Sequence, residues 1–145
     1  MRKHYLHLTA YSTEFHPAFQ EILSHTLKGK TDKIRAQILQ LADNEIPVNY
    51  DEFIGECTKR GYNPNNLNNA HLAKYLWEKR KEARAAIGKY ASAREIMYDC
   101  LYETGSNPIG AVATPEYTPS VADIAQSVVP LSQGILSVAH PNFSW

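Results

Sequence analysis

The stretch LNNAHLAKYLWEKRKEARAAIGKYASAREIMYDCLY, residues 67–102, decides the fold. It contains no proline and a single glycine, Gly88, which would allow a helix to continue for many turns. Apolar side chains recur in it at the spacing of an amphipathic helix, at Leu72, Leu76, Ala83, Ile87, Tyr90, Met97 and Leu101. We therefore predict one long helix of about 35 residues, about 50 Å if unbroken. A break near Gly88 into two helices is the alternative.

Two shorter helices are predicted upstream of this stretch. The first covers residues 14–28, because aromatic and aliphatic residues recur there at helical spacing and Gly29 provides a stop. The second runs over residues 32–45, with Thr31 as its N-cap and a proline just beyond its end. Each helix has one apolar face that must be buried against a neighbour.

A third short helix is predicted to follow Asn49, which is a favoured N-cap residue. Glu52 lies three positions on and is the expected capping-box partner, and Gly61 suits the end of this helix. Residues 4–11 alternate weakly, as in a short N-terminal strand or an extended lead-in. No second run of good alternation follows that could pair with such a strand.

The C-terminal segment, residues 105–145, has a different character. It holds five of the eight prolines and no lysine or arginine, yet it carries many large apolar side chains. Exposed apolar surface is unfavourable, and ordering about 40 residues costs more than their burial returns unless the covering surface is preformed. We therefore expect this arm to lie along its own helical domain or to dock on another subunit. The residues expected to make that contact are Tyr117, Ile124, Val128, Leu131, Ile135, Leu136, Phe143 and Trp145.

The fold class predicted from these patterns is mainly α. It consists of a small helical bundle, with three short helices and one long helix, followed by an extended proline-containing C-terminal arm. A short N-terminal strand is the optional addition. The corresponding division of the chain is a helical domain over residues 1–104 and the apolar arm over residues 105–145.

Basic residues are concentrated in the predicted long helix, although the formal net charge of the chain is zero. Aromatic side chains are interleaved with them, and such a surface can bind a phosphate backbone and stack on bases. The candidate nucleic-acid-binding residues are Lys74, Lys79, Arg80, Lys81, Arg84 and Lys89. The simpler interpretation is a solvated helix face with local ion pairs.

Motifs of catalysis and of metal binding do not occur. The sequence lacks a GxSxG motif, a glycine-rich phosphate loop, an HExxH motif and zinc-spaced cysteines. Cys57 and a histidine distant in the sequence are the one conceivable pair of nucleophile and base. However, both Cys57 and Cys100 fall on apolar helix faces, and we expect them to be reduced and buried. We predict no catalytic residue, no metal and no cofactor.

These observations lead to an expected function. The chain is predicted to be a non-catalytic interaction or assembly subunit, of a viral particle or another large complex, that docks through its arm. The expected partners are other protein subunits in a homo- or hetero-oligomer, with no membrane contact. The alternatives are a small nucleic-acid-binding accessory protein that uses the basic helix face, and a small inhibitor of a larger host machine. Since no signal peptide is recognised, the expected location is the cytoplasm or an assembled particle.

Overall fold

The computed structural model describes residues 7–11, 17–113, 120, 122, 124 and 135–139 of the 145-residue chain. The described elements are mainly helical, as the sequence predicts. They are β1 (His7–Tyr11), α1 (Pro17–Asp43), α2 (Tyr50–Lys59), a 3-10 turn (Pro64–Asn66), α3 (Asn69–Lys79), α4 (Lys81–Ile87), α5 (Ala93–Cys100) and β2 (Ile135–Ala139). Two units are distinguished by their internal contacts: Thr26–Tyr117 is the helical unit, and Met1–His25 together with Thr118–Trp145 is the terminal unit.

The first two predicted helices are a single helix in the structure, so the stop at Gly29 is wrong. Helix α1 has 27 residues, and Gly29 lies in its interior. Thr31 is not an N-cap, because its hydroxyl donates a hydrogen bond to the Leu27 carbonyl one turn earlier, at 3.0 Å. A glycine inside a helix costs only about 1 kcal/mol, which the burial of Ile34, Ile38 and Leu41 later in α1 offsets.

The prediction of one long helix over residues 67–102 is also wrong, since α3, α4 and α5 are separate. The first break falls at Arg80, where φ is −118° and ψ is 79°. Gly88 ends α4 with a φ of 121°, a value that only glycine adopts readily. Ser92 then starts α5 by accepting a hydrogen bond from the Glu95 N–H at 3.2 Å. The structure therefore contains the alternative break near Gly88 and a second break that was not predicted.

Helix α2 has the ends that the sequence predicts. The Asn49 side chain accepts hydrogen bonds from the N–H groups of Asp51 and Glu52, at 2.8 and 3.1 Å. Gly61 follows the C-cap with a φ of 78°, in the left-handed region. The Glu52 carboxylate has another role than the expected capping box, because it accepts from Arg80 at 3.0 Å.

The core of the helical unit is formed by α1 to α5 and the segments between them. Both cysteines are buried in it as free thiols, as predicted. The buried apolar side chains are Ile34, Ile38, Leu41, Ile46, Phe53, Cys57, Leu67, Leu72, Ala73, Tyr75, Leu76, Ala83, Ile87, Ile96, Cys100 and Leu101. This single cluster is the reason that short helices, which are marginal in isolation, remain folded here.

A buried polar contact joins three elements inside this core. The Leu101 carbonyl, just after α5, accepts a hydrogen bond from Gln37 Nε2 of α1 at 2.9 Å and another from Asn69 Nδ2 of α3 at 3.2 Å. Gln37 and Asn69 are the buried polar side chains among the described residues. These two hydrogen bonds therefore fix the position of the C-terminal end of α5 relative to α1 and α3.

The chain after α5 packs back onto the helices. The Gly110 N–H donates to the Cys100 carbonyl at 2.9 Å, and Gly110 is buried. A Cβ atom at Gly110 would lie 2.8 Å from Leu41 Cδ2 and 2.9 Å from Leu101 Cδ2, which is closer than carbon atoms approach. Gly110 therefore belongs to the helical unit, whereas the predicted domain boundary after residue 104 places it in the arm.

We predict that Gly110→Ala destabilises the protein by about 1–3 kcal/mol, because the added methyl group overpacks the contact between Leu41 and Leu101. Gly55→Ala is the matched control, since Gly55 lies inside α2 with open space at its Cβ position. That change should stabilise the helix by about 0.5–1 kcal/mol. Urea unfolding of the two full-length variants measures both effects. Equal stability of Gly110→Ala and the unmodified chain would contradict the packing described here.

The terminal unit contains an antiparallel strand pair. Strand β1 pairs with β2, and the register runs from His7 opposite Ala139 to Tyr11 opposite Ile135. No partner for the N-terminal strand was predicted from the sequence. In the structure its partner is β2, in the C-terminal segment. The two strands come from opposite ends of the chain, so their pairing is a contact of very long sequence separation.

Candidate interaction site

The end of the strand pair presents two large apolar side chains to solvent. Tyr11 and Ile135 stand opposite each other in the register, and they are 64% and 72% exposed. Directly opposed residues of an antiparallel pair project to the same face, with Cβ atoms about 5 Å apart. The two side chains therefore form one small exposed apolar patch.

The backbone of the strand pair offers a second feature. In the part of the chain that the structure describes, the sheet has two strands, so each strand has one edge without a neighbour. Such an edge presents N–H and C=O groups that can pair with an added strand. The two sequences, HLTAY and ILSVA, contain no Lys, Arg, Asp, Glu or Pro. Charged residues and prolines are what usually protect an edge from pairing with another chain.

The structure describes part of the predicted arm contact. Ile135 begins β2, and Leu136 is opposite Ala10 in the register. Ile124 is half-buried, and its N–H donates to the Ser120 carbonyl at 3.2 Å. The other predicted arm residues lie outside the described residues, and their role stays a prediction: Tyr117, Val128, Leu131, Phe143 and Trp145.

Both arginines of the predicted nucleic-acid-binding set contact other groups of the same chain. The Arg80 guanidinium donates two hydrogen bonds to the Pro47 carbonyl, at 2.9 and 3.1 Å, and one to Glu52. The Arg84 guanidinium lies over the Trp77 ring, 4.6 Å from its centroid. Both side chains are therefore held against the helical unit.

The predicted lysines divide into two groups. Lys74 and Lys79 lie near glutamates, with N–O distances of 3.9 and 3.7 Å. Lys81 and Lys89 are exposed, and within residues 17–113 they make no ion pair. The structure thus separates the six basic residues instead of aligning them on one helix face.

A cleft of about 300 Å³ lies between α2 and the end of α3, and paired charges line it. Its lining residues are Glu52, Gly55, Glu56, Lys59, Tyr75, Lys79 and Arg80. Burial is the main cause that raises the pKa of Tyr75 to about 12, so this hydroxyl stays protonated and donates to Glu52 at 3.4 Å. The carboxylates face cations of the same chain, which makes the cleft an internal ion-pair network.

Cys57 and His71 line the same small cavity, of about 10 Å³. Burial raises the pKa of the Cys57 thiol. Burial, and to a lesser extent the charge of Lys74, lowers the pKa of His71. These shifts favour a neutral thiol and a neutral imidazole, whereas a catalytic cysteine needs its thiolate. The cavity has room for about one water molecule.

Among the described residues, no cluster of three or more His, Cys, Asp or Glu residues is placed to bind a metal ion. No helix in this part of the chain combines the length and the apolar character that a bilayer crossing requires.

Comparisons with protein-family models, with curated proteins and with solved structures give no match. Sequence reasoning predicted Ile135 but missed Tyr11, its partner in the exposed pair. The available signal was the alternation over residues 4–11, which ends at Tyr11.

We predict that Arg80→Met destabilises the protein by about 0.5–1.5 kcal/mol, because it removes the guanidinium that donates to the Pro47 carbonyl and to the Glu52 carboxylate. Lys81→Met is the matched control, since the neighbouring Lys81 is exposed and makes no ion pair within residues 17–113. Thermal unfolding of both variants tests the difference. If the two variants lose the same stability, Arg80 does not hold the α3–α4 break.

Protonation of His71 is predicted to lower stability. His71 Nδ1 accepts a hydrogen bond from the Asn68 N–H at 3.2 Å as part of the capping box of α3, which requires that nitrogen to be unprotonated. Since the folded pKa of His71 lies below its ordinary value of 6.5, the unfolded chain binds the proton more tightly. Stability should therefore fall as the pH falls below about 6.5.

The matched variant for this prediction is His71→Gln, which keeps a capping-box acceptor and does not titrate. Urea unfolding between about pH 7.5 and pH 5.5 compares the two proteins, with the other histidines common to both. The unmodified chain should lose more stability over this interval than His71→Gln. Parallel pH profiles would exclude the proposed role of His71.

Proposed function

We propose that the protein is a non-catalytic assembly subunit that binds other protein chains through the β1–β2 strand pair. The observation that carries this proposal is the exposed pair of Tyr11 and Ile135, at the end of a sheet that has two strands in the described part of the chain and no charged residue or proline on either strand. A pair of strands is marginally stable alone, and an added strand or a covering surface stabilises it. Another protein chain supplies both.

The chemistry of the strand pair supports a protein partner. Tyrosine is enriched at interfaces because it buries a large area at low entropic cost and offers a hydroxyl for hydrogen bonding. The absence of charge on β1 and β2 favours strand addition over contact with a phosphate backbone. The C-terminal segment that contains β2 has no lysine or arginine, and this supports the same choice.

The alternative of nucleic-acid binding has less support. Four of the six candidate basic residues make contacts within the chain, and this leaves Lys81 and Lys89 as the cations of that set without an ion pair within residues 17–113. Two lysines supply a weak phosphate contact, since each neutralised phosphate contributes about one unit of log–log salt slope. The viral-particle setting and the inhibitor alternative stay predictions from the sequence.

Charge placed on the strand pair should prevent assembly. We expect Ile135→Lys, in the full-length chain, to weaken association at least about tenfold, because a lysine at a strand end opposes edge-to-edge pairing. Sedimentation velocity of the purified chain, and of the complex that it enters in its native cell, measures this loss. Tyr11→Lys should have the same effect.

Leu39→Lys is the control for these variants. Leu39 lies on α1 in the helical unit and is 66% exposed, so the change introduces the same charge at an equally exposed apolar position. It should leave association unchanged. Retention of every oligomer and complex by both Ile135→Lys and Tyr11→Lys would reject the proposed function.

A further inference from the structure

A second exposed patch lies on the helical unit, along one face of α5. Tyr98 and Tyr102 are 49% and 39% exposed, and their rings are stacked with centroids 5.7 Å apart. The Arg94 guanidinium lies 5.6 Å from the centroid of the Tyr98 ring. Arg94 and Tyr98 lie one turn apart on α5, and Tyr102 follows just after the end of that helix. The contacts between successive members make one continuous surface, which we call the α5 stripe.

The two ends of the α5 stripe carry opposite charge. At its N-terminal end lie the exposed Lys89, Arg94 and Glu95, two cations and one anion, so the net charge of this end is +1. The Glu95 carboxylate accepts a hydrogen bond from the Ala91 N–H at 2.8 Å. At its C-terminal end, the exposed Glu103 follows Tyr102. Exposed aromatic residues flanked by arginine are the composition of interaction hot spots. The stripe therefore has a cationic end, an aromatic centre and an acidic end.

We infer that the α5 stripe binds the same stripe of a second copy of this chain, with the two α5 helices antiparallel. A two-fold axis through the stripe brings the cationic end of each copy to the acidic end of the other. It also brings each Arg94 towards the aromatic residues of the second copy, where a guanidinium gains cation–π attraction. Tyr98 already accepts such a contact from Arg94 within one chain.

A second copy fits this surface better than a partner of uniform charge. A nucleic acid would be repelled by the acidic end, and a basic protein by the cationic end. An antiparallel copy meets both ends with the opposite charge and covers both tyrosines. This inference goes beyond the proposed function because it concerns the helical unit and not the strand pair.

Charge reversal at each end tests the inference in the full-length chain. We expect the unmodified protein to form a dimer whose association weakens with added salt. Arg94→Glu places acidic groups at both ends of the stripe, and Glu103→Arg places basic groups at both. Each variant alone should dimerise at least about tenfold more weakly, because like charges then face each other twice. An equimolar mixture of the two variants should recover the dimer.

Two further variants complete the experiment. Tyr98→Ser should weaken the dimer at least about tenfold without affecting the helical circular dichroism, since Tyr98 is exposed. Lys81→Glu is the control, because it reverses an exposed charge on α4, which contributes no residue to the stripe. It should leave the dimer intact. Sedimentation velocity over a range of concentrations reports all of these effects.

Distinct outcomes separate this inference from the proposed function. A chain that stays monomeric up to about 1 mM overturns the inference. An oligomer that dissociates on Ile135→Lys, but not on Arg94→Glu or Glu103→Arg, also overturns the inference. That result would still support the strand pair as an assembly site. A dimer that responds to the charge reversals and not to Ile135→Lys supports the α5 stripe and weighs against the strand pair.

Discussion

The helical unit depends on the carbonyl of Leu101, which accepts two amide N–H groups in the core. Gln37 approaches it from α1 and Asn69 from the start of α3, at separations of 64 and 32 residues along the chain. A carbonyl has two lone pairs, and burying it without partners would cost free energy. The two amides therefore fix the end of α5 relative to α1 and α3. The Gly110 backbone packs against the side chains of Leu41 and Leu101, which leave no room for a methyl group at that position.

Local sequence signals were reliable where a local contact decides the structure. Asn49 starts α2 and Gly61 follows its end as predicted, because a cap is satisfied by its own neighbours. The continuous helix over residues 67–102 failed at Arg80, whose guanidinium binds the Pro47 carbonyl from a distant part of the chain. Helical periodicity carries no information on such a contact. In α1 the sequence predicted a break that the structure does not have, because Gly29 lies inside a helix whose later turns bury Ile34, Ile38 and Leu41.

The candidate site was predicted only in part, for the same physical reason. Alternation over residues 4–11 indicated a strand, and β1 occupies the second half of that range. Its partner, ILSVA over residues 135–139, alternates too briefly to be recognised, and pairing between the two ends of a chain depends on the tertiary fold. Ile135 was nevertheless predicted as a contact residue, because an apolar side chain in a segment without cations needs cover. Tyr11 could be assigned to the site only once the register was known.

Internal pairing of charge determines which surfaces remain for partners. On α2 and α3, the carboxylates of Glu52, Glu56 and Glu78 are paired with cations of the same chain. Exposed ion pairs of this kind add little stability, but they leave no strong field for a phosphate backbone. The strand pair and the α5 stripe differ from that region, since both present exposed tyrosine side chains. Because apolar contact drives association more than paired surface charge does, these two surfaces are where partners gain most by binding.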